Sequence, residues 1–253
     1  AKEGMGRQVC RHFNIPTSDN LDLSKWENIL ENIRHPEGEV RIGVVGKYTQ
    51  LLEAYKSLNE ALTHGGIANK YKVKVKWINS ELLEGEPVEE HLNDVSAILV
   101  PGGFGQRGTE GKIAAIKYAR EHKVPFLGIC LGMQMAVIET MRNVAGIKNA
   151  NTTEFEANCE PVVGLMTEWD KEGAKEIRTK DGDLGGTMRL GGYTCTLKAG
   201  SKAAAAYGKE SVVERHRHRY EFNGAYQSQF ETAGMVATGI NPETGLVEVL
   251  EVK

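Results

Sequence analysis

The run Val124-Pro125-Phe126-Leu127-Gly128-Ile129-Cys130-Leu131-Gly132-Met133-Gln134 sets a cysteine where an apolar strand would run straight into a helix. Gly128-x-Cys130-x-Gly132 has the form of a nucleophile elbow, with sulfur in the place where hydrolases carry a serine hydroxyl. A sharp strand-to-helix turn crowds its neighbours, so the flanking positions demand residues without a Cβ. Such a turn would expose the sulfur at the strand's end, and the N-terminus of the next helix would favour thiolate over thiol. A cysteine packed as a small hydrophobe is the bland alternative, and the paired glycines argue against it.

Gly103-Phe104-Gly105-Gln106-Arg107-Gly108 matches Gly-x-Gly-x-x-Gly, a dinucleotide fingerprint. That fingerprint also needs an acidic residue at the end of the next strand, which here ends in Ile129-Cys130. The cofactor reading fails. Glycines at a strand end instead let backbone N–H groups face a neighbouring strand end. An N–H near Gly103, together with that of Leu131, could form an oxyanion hole for acyl transfer. A plain tight turn is the simpler alternative.

A thiol nucleophile needs a base. Of the seven histidines (His12, His35, His64, His91, His122, His216, His218), the last two follow Cys130, within Glu214-Arg215-His216-Arg217-His218-Arg219-Tyr220. On a strand, Arg215, Arg217 and Arg219 would line one face and the two histidines the other. His-x-His can ligate a metal, but the sequence pairs no third or fourth ligand with it. The arginines suggest an anion such as a carboxylate, or equally a solvated edge strand.

These residues need a scaffold. The spacing predicts a helical leader over 1–38, including a helix from Leu23 to Ile33 capped by Asp22 or Ser24, and then a turn at Pro36-Glu37-Gly38. Strands are predicted at Val40–Val45, Tyr71–Ile78, Val95–Val100 and Val124–Ile129. They are spaced by helices at Leu51–His64 (stopped by Gly65-Gly66), Pro87–Leu92, Gly111–His122 and from Leu131 to about Met141. That alternation implies an α/β fold with a mostly parallel sheet covered on both faces, whose ligands gather beyond the strands' carboxyl ends. Pro101-Gly102-Gly103 and Cys130 both sit at such ends. After Asn143 the pattern loosens, with glycine-rich turns from Gly182 to Gly192, strands at Tyr193–Leu197, Ser211–Arg219 and Leu246–Val252, and a helix between Gly224 and Glu231.

The 253 residues carry 40% hydrophobic and 26% charged residues and a net charge of −3, which calls for neither nucleic acid nor a membrane as bulk partner. Four scattered cysteines lack framework or metal-ligand spacing, so a reduced, cytoplasmic protein is expected. The chain begins at Ala1 inside a helical stretch, as a fragment would.

The elbow run Gly128–Gln134 and the loop Pro101–Gly105 resemble class I, triad-type glutamine amidotransferases of flavodoxin-like three-layer fold. Further stretches resemble the glutaminase domain of the CTP synthase family: Val45-Gly46-Lys47-Tyr48, Asn149–Phe155, Asp183–Leu190 and Glu214–Glu221. The resemblance spans residues 40–253, and the leader is similar to the linker from a synthetase domain. It implies that Cys130 attacks the side-chain amide of glutamine, forming a γ-glutamyl thioester and releasing ammonia. It implies that Gly103 and Leu131, Gly132, Met133 and Gln134 hold the glutamine and its oxyanion. Glu154 would take the α-ammonium and Arg219 would help fix the substrate's backbone-type groups. Arg107, beside the loop, is implied as a participant in activation by GTP. ATP and Mg are expected in the synthetase domain, which would aminate UTP to CTP in a homo-oligomeric, tetrameric whole enzyme. No cofactor or metal is expected in this domain.

The family carries its base and orienting acid in a His-Pro-Glu run just after a strand like Leu246–Val252, and this sequence stops at Lys253, before that run. A thiol paired with that histidine is expected to titrate well below about 8.5, and the helix terminus alone to lower it less. No Gly-x-x-x-x-Gly-Lys-[Ser/Thr] phosphate loop occurs, so these residues alone are not expected to make CTP. Two other readings stay open: another cysteine hydrolase on the same fold (a γ-glutamyl hydrolase or a PfpI-like peptidase), and a catalytically silent interaction module. His218 as a substitute base is a third.

Overall fold

The structure is a computed structural model describing residues 3–17, 22–165, 168–171, 174–177 and 188–252. It forms two compact units, one of Ala1–Val40 with Tyr55–Lys74, the other of Arg41–Ala54 with Val75–Lys253. Residues 183–187, most of the Asp183–Leu190 stretch, lie outside the described residues.

In chain order, helices α1 (Met5–His12) and α2 (Ser24–Arg34) precede strand β1 (Gly38–Gly46). The N-cap of α2 is Leu23, whose side chain cannot cap, rather than Asp22 or Ser24, although Asp22 Oδ1 accepts the Ser24 N–H at 3.0 Å. The helix predicted over Leu51–His64 is instead a 3₁₀ turn at Leu52–Tyr55 followed by α3 (Lys56–Ala68). It runs through Gly65-Gly66 rather than stopping, because a Cβ on Gly66 would stand 2.6 Å from the carbonyl of Tyr71. Those glycines serve a close approach, not a cap. Strand β2 (Tyr71–Asn79), α4 (Val88–Leu92), β3 (Ala97–Val100), α5 (Thr109–Glu121), β4 (Phe126–Gly128) and α6 (Leu131–Asn143) follow.

These strands form one sheet in the order β2-β1-β3-β4, with β1–β3 and β3–β4 parallel. Val100 pairs with Gly128, so the chain leaves two adjacent strand ends side by side, into the Pro101–Gly105 loop and into Cys130. Helix α6 is buried nearly all round, with Leu131, Met135, Ile138 and Met141 joining Ile98 and Val100 in the core. Its buried Glu139 is forked by Arg120, with Nε and Nη2 contacts of 3.1 and 2.8 Å.

Beyond Asn143 the parallel pattern gives way to smaller sheets. Strands β5 (Ala150–Thr152), β6 (Glu160–Leu165), β7 (Glu168–Lys171), β8 (Ala174–Ile177) and β9 (Arg189–Leu197) precede α7 (Lys202–Tyr207). Then come β10 (Ser211–His218), β11 (Tyr220–Phe222), α8 (Gln227–Thr232), β12 (Met235–Ile240) and β13 (Val247–Val252). They form an antiparallel β10-β9-β12-β13 sheet, a β11-β6-β5 sheet and a β7–β8 hairpin. The sequence reading foresaw β9, β10, β13 and α8. It missed β5–β8, β11, β12 and α7, most of which are too short for a period to show. Among the described residues no helix is long and apolar enough to cross a membrane.

Candidate active site

Cys130 has φ 54° and ψ −110°, a backbone conformation that non-glycine residues rarely adopt, and α6 starts at the next residue. The turn is tight because α6 begins against the strands: a Cβ on Gly132 would stand 2.0 Å from the Val100 carbonyl oxygen, and one on Gly128 2.6 Å from the Gly132 carbonyl. Both elbow glycines therefore answer a close backbone approach. The neighbouring loop closes over the sulfur, with the Cβ position of Gly102 lying 3.7 Å from Sγ. Backbone N–H groups of Leu131 and Gly103 act on the sulfur to favour its thiolate, and they are the two donors the sequence singled out for an oxyanion hole.

The thiol titrates above its ordinary value, not below it. Burial is the largest cause, the Leu131 and Gly103 N–H groups oppose it, and the charges of Glu154 and Glu221 push it further up. The Leu131 N–H at the helix N-terminus acts in the expected direction, but desolvation outweighs it.

The loop is held by charged side chains. Lys47, at the end of β1 and only 8% exposed, donates to the carbonyls of Phe104 and Gly105 at 2.7 and 2.6 Å. Glu154, just after β5, accepts the Gly105 N–H on Oε1 at 3.0 Å. Gly105 has φ +78°, which glycine adopts without strain. Arg107 turns away to Glu81 at 2.9 Å, with Tyr48's ring 5.9 Å from its guanidinium. Lys112 on α5 is 1% exposed, and its amine is lowered to about 8, first by burial and then by Lys47 and Arg107.

Among the residues of the elbow helix, Leu131 and Gly132 are buried and Met133 is half-buried. Gln134 is buried as well, and its side-chain amide donates to the Tyr220 carbonyl at 2.8 Å, tying α6 to β11. The alternation expected through Arg219 holds along β10, with Arg215 and Arg217 exposed and His216 and His218 turned inward. It breaks at Arg219, which leaves the strand at a bend and carries a buried Nε with no hydrogen-bond partner. Tyr220, the next residue, feels the charges of both Glu154 and Arg219.

The histidines face a buried charge network. Arg189 reaches Glu221 at 3.0 Å and Glu248 at 2.8 Å, and its guanidinium lies 4.3 Å from the centre of the Tyr193 ring. His216 Nδ1 lies 2.8 Å from His218 Nε2 and 3.5 Å from Glu248. Glu248 is the third potential ligand that sequence could not pair with the histidines, and its donor atom lies within 4.8 Å of theirs. The cation between the two carboxylates is the Arg189 guanidinium. Burial, Arg189 and His216 pull His218 down to about 4, and burial pushes Glu221 up to about 7.

Sequence reasoning missed Lys47, Lys112, Arg189, Glu221 and Glu248 as site-forming residues. For Lys47 a signal existed: it follows a strand at its carboxyl end, where α/β sheets gather ligands.

The family "Glutamine amidotransferase class-I" matches residues 50–253. CTP synthase of Zymomonas mobilis is 55% identical over 98% of this chain and 46% of its own length, and that of Gluconacetobacter diazotrophicus is 56% identical with the same coverage. The chain thus spans about half the length of these relatives. Among solved structures, the glutaminase domain of Trypanosoma brucei CTPS, with bound acivicin, superposes with a TM-score of 0.71 at 36% identity, covering 85% of this chain and 79% of that one. The elbow, its two backbone donors and these matches agree, and the chain belongs to the class-I glutamine amidotransferases, as a glutaminase domain of the CTP synthase kind.

Proposed function

We propose that Cys130 takes the γ-glutamyl group from glutamine and that the ammonia released is used by a synthetase domain, with Mg as its cofactor, to aminate UTP to CTP at the expense of ATP. The observation that carries this reading is a sulfur held at a strained elbow against the Gly102–Gly103 loop, with the Leu131 and Gly103 N–H groups favouring its thiolate. In the first step the thiolate attacks the amide carbon, and the oxygen gains charge facing those donors. The C–N bond then breaks, the nitrogen leaves as ammonia after taking a proton, and water hydrolyses the thioester to glutamate. A histidine of a His-Pro-Glu run following β13 would relay the proton and, as an imidazolium beside the sulfur, draw the thiol down.

Recognition of free glutamine needs both its ammonium and its carboxylate met. Glu154 offers the anion, and Arg219, with its unpartnered buried Nε, offers the cation. That pairing favours glutamine over a peptide. Gly132, Met133 and Gln134 line the same helix start. Arg107 would contribute to a GTP response, and the whole enzyme would be a cytoplasmic homo-tetramer whose synthetase domain joins through the 1–38 leader.

In the full-length protein, Cys130→Ala should abolish glutamine-dependent CTP formation while ammonia-dependent formation persists. Glutamine-dependent synthesis surviving that substitution would overturn the reading.

A further inference from the structure

The loop over Cys130 contains three glycines within Gly102–Gly105 and no helix or strand of its own between Val100 and Thr109. Its shape must therefore be imposed from outside, since glycine peptides rotate readily and few side chains anchor it. The Phe104–Gly105 peptide is gripped at both of its polar ends. Its carbonyl oxygen accepts from Lys47 Nζ at 2.7 Å, and its N–H donates to Glu154 at 3.0 Å. Lys47 also donates to the next carbonyl, that of Gly105, at 2.6 Å.

The signs of the two charges matter. Were this peptide to flip, its oxygen would face the Glu154 carboxylate and its N–H the Lys47 ammonium, so both contacts would turn repulsive. Lys47 is 8% exposed, and its ammonium has exchanged most of its water for protein partners that include these two carbonyls. Two residues upstream lies Gly103, whose N–H acts on the Cys130 sulfur and whose neighbour Gly102 has its Cβ position 3.7 Å from Sγ.

We propose that Lys47 is a positioning residue of the oxyanion hole: with Glu154 it locks the Phe104–Gly105 peptide in one orientation and so holds the Gly103 N–H where negative charge develops. This deepens the acyl-transfer reading and rests on it. Lys47 acts through the loop and touches no reacting atom. Its loss should lower the rate of the chemical step and leave glutamine affinity nearly intact, because the contacts proposed for the substrate's ammonium and carboxylate stay in place.

The test uses the full chain and a glutamine-like chloroketone that alkylates Cys130, separating the maximal labelling rate from the half-saturating concentration. Lys47→Met should lower the maximal rate about 10- to 100-fold, the scale of a displaced oxyanion donor. Half-saturation should stay within about threefold, and Lys47→Arg should restore most of the rate. Lys47→Gln, which keeps a donor without the charge, should fall between them. Should Lys47→Met fail to fold, Lys47→Gln labelling as fast as wild type overturns the inference. The Gly103 amide resonance reports directly on the loop: it should move in Lys47→Gln and return towards its wild-type position in Lys47→Arg. A stationary resonance with an unchanged maximal rate overturns the lock. A wild-type protein that the chloroketone does not label defeats the acyl-transfer reading instead, and the Gly103 resonance then decides the lock by itself.

Discussion

Cys130 Sγ lies 3.9 Å from the carbonyl oxygen of Arg217, 87 positions along the chain. A carbonyl oxygen accepts from a thiol and gives a thiolate no partner. Burial, and after it the charges of Glu154 and Glu221, hold the sulfur above its ordinary value. Alkylation of this chain by iodoacetamide should therefore keep climbing about tenfold per pH unit past pH 8, because only thiolate reacts. Cys195, buried and pushed up to about 11, should stay unlabelled while the fold holds. A plateau in Cys130 labelling below pH 8, mapped by peptide mass spectrometry, contradicts this.

The elbow stores strain. Cys130 holds φ 54°, a conformation that costs a non-glycine residue about 1–3 kcal/mol. Cys130→Gly should therefore be more stable than Cys130→Ala by about 1 kcal/mol, or about 2–4 °C in Tm. Both variants should be inactive. Calorimetry of the pair isolates the backbone term, since neither carries the sulfur. An alanine variant as stable as the glycine one would show that the elbow is relaxed.

Glu154 is assigned two duties, the loop and the substrate's ammonium. Glu154→Gln keeps an oxygen for the Gly105 N–H but loses the charge. Removing a charge-assisted contact of about 1.5–3 kcal/mol should raise KM for glutamine by about 10- to 100-fold. Turnover should fall much less. Glu154→Ala, which also frees the loop, should lower kcat as well, and steady-state glutaminase assays of both variants separate the two duties.

Arg189 is the cation of a network whose partners Glu221 and Glu248 have side chains only 6% and 4% exposed. Arg189→Met leaves the two buried carboxylates with only the imidazoles of His216 and His218 beside them, a loss of about 3–5 kcal/mol where those stay neutral. Chemical denaturation at pH 7 should show it. The loss should shrink at pH 5, where protonation relieves the uncompensated charge, because burial already raises Glu221 to about 7. Equal losses at both pH values would mean that the carboxylates find other partners.

The elbow at Cys130 was legible in the sequence because an elbow is local. Crowding at the turn acts on positions two residues either side of Cys130, so Gly128 and Gly132 announce it in the chain itself. The alternation of β10 was legible for the same reason, and it failed at Arg219 only because the chain bends after His218. The helix that runs through Gly65-Gly66 shows the opposite case, since glycine looks alike whether it ends a helix or admits a neighbouring strand.

The sequence by itself determined the elbow, its candidate oxyanion donors and the parallel α/β half, all consequences of spacing within a few residues. Only the tertiary structure decided that Lys47 and Glu154 grip one peptide from 57 and 49 positions away, that Glu248 joins the two histidines, and that Arg189 bridges strands 32 and 59 residues apart. It also decided the direction in which Cys130 titrates. Desolvation and charge pairing depend on which distant segments come together, and such meetings leave no period in the chain for a reader to find.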